Sequence, residues 1–109
     1  MKIPLLAFLL MSGFPTQGFP ADDKPIPPAV KTLIQDRGCL ACHGLVHKQV
    51  GPGFAQVAAR YRDDPAAADY LAGRIRNGAV GNWGRLVMPR QAGVGEADAL
   101  MLARWVLTR

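Results

Sequence analysis

Cysteine is scarce in this chain of 109 residues: there are two, Cys39 and Cys42, with only Leu40 and Ala41 between them. A disulfide across so short a span closes a tiny loop and stabilises little, so the pair does not serve as an ordinary structural staple. Aromatic residues are also few, at 7%, which leaves a small core short of large flat groups. Alternating apolar and polar runs are missing, and with them the βαβ setting in which a C-x-x-C dithiol does redox chemistry. No dense Lys/Arg run with interleaved aromatics occurs, which excludes the usual single-strand nucleic-acid binders. There is no internal repeat, no low-complexity tract and no second domain.

Acidic residues are in deficit: eight Asp and Glu against thirteen Lys and Arg give a formal charge of +5 and a pI near 9.8. With nucleic acid set aside, the partner that suits this balance is an acidic protein surface, and association rate is the property it affects most. The one long apolar run, after Lys2 from Ile3 to Met11, is too short to span a bilayer as a stop-transfer helix. It reads as a secretory signal. Ala21 is the expected last residue of that signal, although Phe19 is larger than the position two before a cleavage site prefers. Residues 1–21 are then the leader and 22–109 one small exported domain with no membrane insertion. A domain of that size usually needs a metal, a disulfide or a cofactor to complete its core.

What is present is concentrated at Cys39-Leu40-Ala41-Cys42-His43. A C-x-x-C-H pentad reads as a c-type haem attachment site. Two thiols one helical turn apart face the same way and can add to the two vinyl groups on one edge of a porphyrin, and the following histidine is carried beneath the ring, where a neutral imidazole ligates the iron. A structural zinc could instead draw on Cys39, Cys42, His43 and His47, but adjacent ligands fit poorly with zinc-finger spacings.

Around the pentad the spacing predicts four short helices. The leader segment Asp22–Pro28 is extended. Val30, Leu33, Ile34 and Arg37 make a first helix over 29–37, with Gly38 as its stop. The glycines and proline after Gly44 mark a loop, and Phe54, Val57, Ala58 and Tyr61 make a second helix over 54–61. Asp64 and Pro65 form an N-cap and N1 pair for a third helix reaching Asn77, closed by Gly78. The stretch 79–95, with Gly81, Gly84, Pro89, Gly93 and Gly95, reads as one long loop, of the kind that is functional. A last helix over 96–109 carries Leu100, Ala103, Val106 and Leu107, widened by Met101, Leu102 and Trp105, a broad face for burial against something large.

An iron held by one histidine has either a sixth ligand or an open site. Met101 sits in the apolar stripe of the last helix and reads as packing. His47 is only four residues from His43 and hardly reaches the far face of a ring. Met88, before Pro89 in the glycine-rich loop, is on pattern alone either a hydrophobic plug or a ligand.

The pentad, Val50-Gly51-Pro52-Gly53, Arg74-Ile75-Arg76-Asn77-Gly78, Asn82-Trp83-Gly84, Val87-Met88-Pro89 and Ala103-Arg104-Trp105-Val106-Leu107 together closely resemble the small bacterial class I cytochromes c of the c-551 and c-552 type. The resemblance runs from the first helix to the terminus. It implies an all-α cytochrome c fold, four short helices wrapped around one covalent haem c, in a monomeric periplasmic carrier that passes single electrons between respiratory partners and is not an enzyme. It further implies that Cys39 and Cys42 form the thioethers, that His43 and Met88 are the axial iron ligands, and that the Pro52 carbonyl orients the imidazole. Arg74 and Trp83 match positions that in this family hydrogen-bond a haem propionate. Arg85 and Arg90 flank Met88 where members of the subfamily commonly have prolines, which loosens that loop and adds charge that suits an acidic docking surface. Gln91 stands where a polar amide is common. A labile Met88 would instead suit an accessory or small-ligand-sensing module.

Overall fold

The last helix is the element on which the others rest. In the computed structural model, which describes residues 13–15 and 22–109, the helices are α1 (Pro28–Asp36), α2 (Phe54–Tyr61), α3 (Ala67–Asn77) and α4 (Glu96–Val106), with a 3₁₀ turn at Cys39–Ala41. The expected secretory signal falls mainly on residues outside those described. Among the described residues no helix is long and apolar enough to cross a membrane.

Each helix has a local cause. Pro28 occupies the start of α1, where its missing N–H costs nothing, and Lys31 N–H closes the first turn onto Pro27 O at 2.9 Å. Val30 and Ile34, four apart, form its buried face. Arg37 caps α1 and Gly38 turns the chain into the pentad. At the head of α2 the side chain of Gln56 accepts the Gly53 N–H at 2.8 Å. Glu96 and Asp98 place negative charge in the first turn of α4, where the helix dipole favours it.

Helix α3 makes the most extensive contact with α4, and α1 and α2 pack on α4 as well. Small side chains permit the approach: Ala72 on α3, Ala99 and Ala103 on α4 are all buried. Val30, Ile34, Phe54, Val57, Leu102, Trp105 and Val106 complete one continuous cluster. Each large apolar side chain buried in it contributes roughly 1.5–3 kcal/mol.

Three details differ from the sequence reading. Helix α3 begins at Ala67, because Asp64 first makes a turn in which its Oδ1 accepts Ala66 N–H at 2.8 Å and its carbonyl accepts Ala67 N–H at 3.1 Å. Helix α4 ends at Val106, and the last residues form a turn. The expected loop from 79 holds an antiparallel hairpin, β1 (Ala79–Gly81) and β2 (Gly84–Met88), paired Ala79 to Met88 and Gly81 to Gly84 with a register shift between. Gly81 and Gly84, at φ 85° and 109°, provide the left-handed backbone that lets Asn82 and Trp83 make the turn.

Beyond α4, the chain end meets the segment before α1. Arg109, buried, pairs with Asp22 through two hydrogen bonds, one from Nε at 2.7 Å, and also donates to Lys24 O at 2.9 Å. Lys24 Nζ returns a bond to Thr108 O at 2.8 Å.

Candidate functional site

The pentad is fixed by its own turn and by the loop that follows. His43 N–H bonds to Cys39 O at 3.0 Å, and Cys42 O accepts both Val50 N–H at 3.1 Å and Gly51 N–H at 2.8 Å. The loop then satisfies the next helix: Gly44 O and Leu45 O accept the N–H groups of Phe54 and Ala55, each at 2.9 Å, two of the donors that any helix leaves unpaired at its start. Residues 42–55 are in this way one braced unit.

Within it the imidazole of His43 has a defined role for each nitrogen. Nδ1 lies 2.7 Å from Pro52 O. A carbonyl oxygen can only accept, so Nδ1 carries the proton and Nε2 keeps its lone pair, the state a metal ligand needs. Phe54 stacks on the ring with centroids 5.1 Å apart and planes 19° apart, and Trp105 meets Phe54 edge-on at 5.2 Å. A Cβ on Gly51 would stand 2.9 Å from His43 Cε1, so only glycine leaves space for the imidazole there.

His43 forms part of the wall of a cleft of about 210 Å³ that gathers residues from all four helices and the hairpin. Cys39, Cys42, Pro52, Arg74, Trp83 and Met88 also line it, so the residues that the resemblance assigns to the haem meet in one place. Its remaining surface is chiefly aliphatic and aromatic, from side chains such as Leu71, Ile75 and Leu102. Met101 and His47 are not among the lining residues; Met101 packs against the core and His47 is exposed.

The two thiols are free. Cys42 is exposed, and burial pushes the Cys39 thiol up from its ordinary value. A nucleophilic dithiol needs the reverse. Among the described residues no three of His, Cys, Asp or Glu converge as a zinc site requires.

Two buried polar atoms lack a protein partner among the described residues, Arg74 Nε and Trp105 Nε1, and both belong to side chains that line the cleft. An unpaired buried donor is costly. A carboxylate entering the cleft would match the guanidinium, while the apolar walls match a flat hydrocarbon body. The thiols beside an Nε2 lone pair and the half-buried Arg74 with its unpaired Nε fit a porphyrin with its propionates and iron.

Sequence reasoning did not find Phe54 as the ring stacked on His43, nor the contact of Arg60 with the hairpin. For Arg60, guanidinium carbon to Trp83 ring centroid is 4.6 Å. An arginine on a helix surface carries no motif, and only the folded hairpin brings Trp83 beneath it.

The fold and cleft define a small helical domain with an apolar cleft suited to a flat group. The chain belongs to the cytochrome c family, whose model, described as Cytochrome c, matches residues 29–109. It is 46% identical over 76 residues to cytochrome c-552 of Nitrosomonas europaea, covering 70% of this chain and 74% of that protein. Over 105 residues it is 38% identical to cytochrome c-551 of Pseudomonas aeruginosa, covering 96% and 94%. The crystal structure of wild-type Nitrosomonas europaea cytochrome c552 superposes with a TM-score of 0.69 at 45% identity, covering 72% of this chain and 96% of that one. The chain is thus a small class I cytochrome c of the c-551 and c-552 type, a carrier of electrons with one covalently attached haem c.

Proposed function

We propose that this cytochrome is exported to the periplasm, where residues 22–109 act as a monomeric one-electron carrier with a His/Met-ligated iron and no enzymatic turnover of its own. The observation that carries this reading is the bond between His43 Nδ1 and Pro52 O at 2.7 Å, which leaves Nε2 free in the same cleft as Met88. The bound haem supplies the one-electron couple. Cys39 and Cys42 hold it by thioethers. His43 and Met88 would be the side chains that hold its iron, and a thioether ligand would favour the reduced state and raise the potential. Pro52 fixes the imidazole plane and strengthens its donation. Arg74 and Trp83 receive a propionate, for which the unpaired Nε of Arg74 is the support.

The exposed apolar side chains Val50, Val80, Leu86 and Val87 border the cleft, and the exposed Arg85 and Arg90 lie on or beside the same hairpin. Such a surface suits brief docking to an acidic respiratory partner, with charge setting the rate of encounter.

The test is the absorption spectrum of the haem-loaded protein, oxidised, then reduced, then with carbon monoxide. Sharp reduced bands that carbon monoxide leaves alone support the six-coordinate carrier. Met88→Ala should abolish the sulfur-to-iron band of the oxidised form and lower the potential. A native spectrum that shifts at once with carbon monoxide would overturn the reading in favour of an accessory or small-ligand-sensing module with a labile Met88.

A further inference from the structure

The hairpin that carries Met88 is anchored at two points. At its base, after Pro89, Gln91 N–H bonds to Ile75 O on α3 at 3.0 Å. At its tip the anchor comes from α2: Arg60 Nη1 donates to Asn82 O at 2.8 Å while the guanidinium lies over Trp83. Asn82 Nδ2 in turn donates to Tyr70 Oη on α3 at 2.9 Å, so the turn ties the two helices together.

Val80, Leu86 and Val87 are each about two-thirds exposed and line the cleft, so the strands bury scant apolar surface against the helices. The ladder shifts register between its two pairs, and Gly81 and Gly84 on either side of the turn place no side-chain restraint on the backbone. The position of β2, which ends at Met88, therefore depends on its anchors.

We propose that Arg60 is a positioning residue that latches the hairpin tip and, through it, keeps Met88 seated in the cleft, limiting how often the sixth position of the iron opens. The inference rests on Met88 being the distal ligand. Arginine suits the task because one planar guanidinium stacks on Trp83 and donates in its own plane to the Asn82 carbonyl. A lysine ammonium cannot do both.

The experiment is the rate of cyanide binding to the oxidised haem-loaded protein, which is gated by opening of the sixth position, together with the sulfur-to-iron band and urea unfolding. Arg60→Ala should accelerate cyanide binding about three- to tenfold, the scale of one exposed charge-assisted hydrogen bond with a cation–π contact. Arg60→Lys should fall between, and Arg62→Ala, which removes a charge just beyond α2 that does not touch the hairpin, should leave the rate unchanged. In a Met88→Ala background Arg60→Ala should add nothing, because it acts through the ligand. An Arg60→Ala rate equal to that of the native protein, with Met88→Ala fast, overturns the latch and leaves the ligand assignment standing. Acceleration that persists in the Met88→Ala background also overturns the latch. A Met88→Ala protein with native spectrum and native cyanide rate overturns both.

Discussion

The carbonyl oxygen of Pro52 stands 2.7 Å from Nδ1 of His43, on a loop whose neighbouring Gly51 is bonded back to Cys42. The bond raises the basicity of the other ring nitrogen, which stabilises the oxidised iron. Proline at 52 has a fixed φ, so its carbonyl direction is restrained. Pro52→Ala should loosen that restraint and weaken the bond by about 0.5–1 kcal/mol, raising the reduction potential by roughly 20–40 mV. Protein-film voltammetry of the two proteins checks the sign. A fall in potential would show that the bond does not act as described.

Phe54 joins the site to the core, with one face on His43 and an edge on Trp105. Phe54→Ala should cost about 3–5 kcal/mol of stability, and Phe54→Leu, which keeps most of the volume, less than about 1.5 kcal/mol. Urea unfolding of the haem-loaded proteins measures both. Equal costs would mean that the ring itself, and not the filled volume, is what the site requires.

The sequence exposes some of this and hides the rest for physical reasons. The pentad is local chemistry, so Cys39, Cys42 and His43 are recognisable without a fold. Helix α2 has apolar residues at three- and four-residue spacing and its bounds follow from that pattern alone. The hairpin leaves no such trace, because both its strands are largely exposed and their glycines and arginine resemble loop composition. Its existence depends on pairing Ala79 with Met88 and on Arg60 meeting the turn, relations between distant residues. The stack of Phe54 on His43 is likewise tertiary: Phe54 has the helical spacing of a core residue, and only the return of the 44–53 loop brings it onto the imidazole.

The pairing of Asp22 with Arg109 makes stability depend on pH in a definite direction. The hydrogen bond from Arg109 is the chief influence holding the Asp22 carboxyl below its ordinary value of 3.8, opposed in part by burial. A carboxyl whose pKa is depressed by folding adds stability above its unfolded pKa and loses it as pH falls through the folded value. The stability gap between the native protein and Asp22→Asn should therefore be constant above about pH 5 and close progressively below pH 3.8. Urea midpoints collected from pH 7 to pH 2.5 give the curve. A gap that widens on acidification would rule out the ion pair as its source.

Arg85 and Arg90 are exposed on or beside the hairpin that borders the cleft, where Val80, Leu86 and Val87 are exposed as well. Charges so placed act on encounter and not on the iron itself, since exposed groups are screened within about 8–10 Å at ordinary ionic strength. Replacing both with glutamate should thus leave the potential nearly unchanged while slowing oxidation by a small anionic oxidant. A cationic oxidant should show the opposite trend. At low salt the expected change is on the order of tenfold, and it should vanish as salt is raised. Stopped-flow rates with one oxidant of each sign, over a range of ionic strength, separate steering from any effect on the driving force. If both oxidants slow equally and salt has no influence, the arginines act on the haem environment, and the acidic docking surface loses its support.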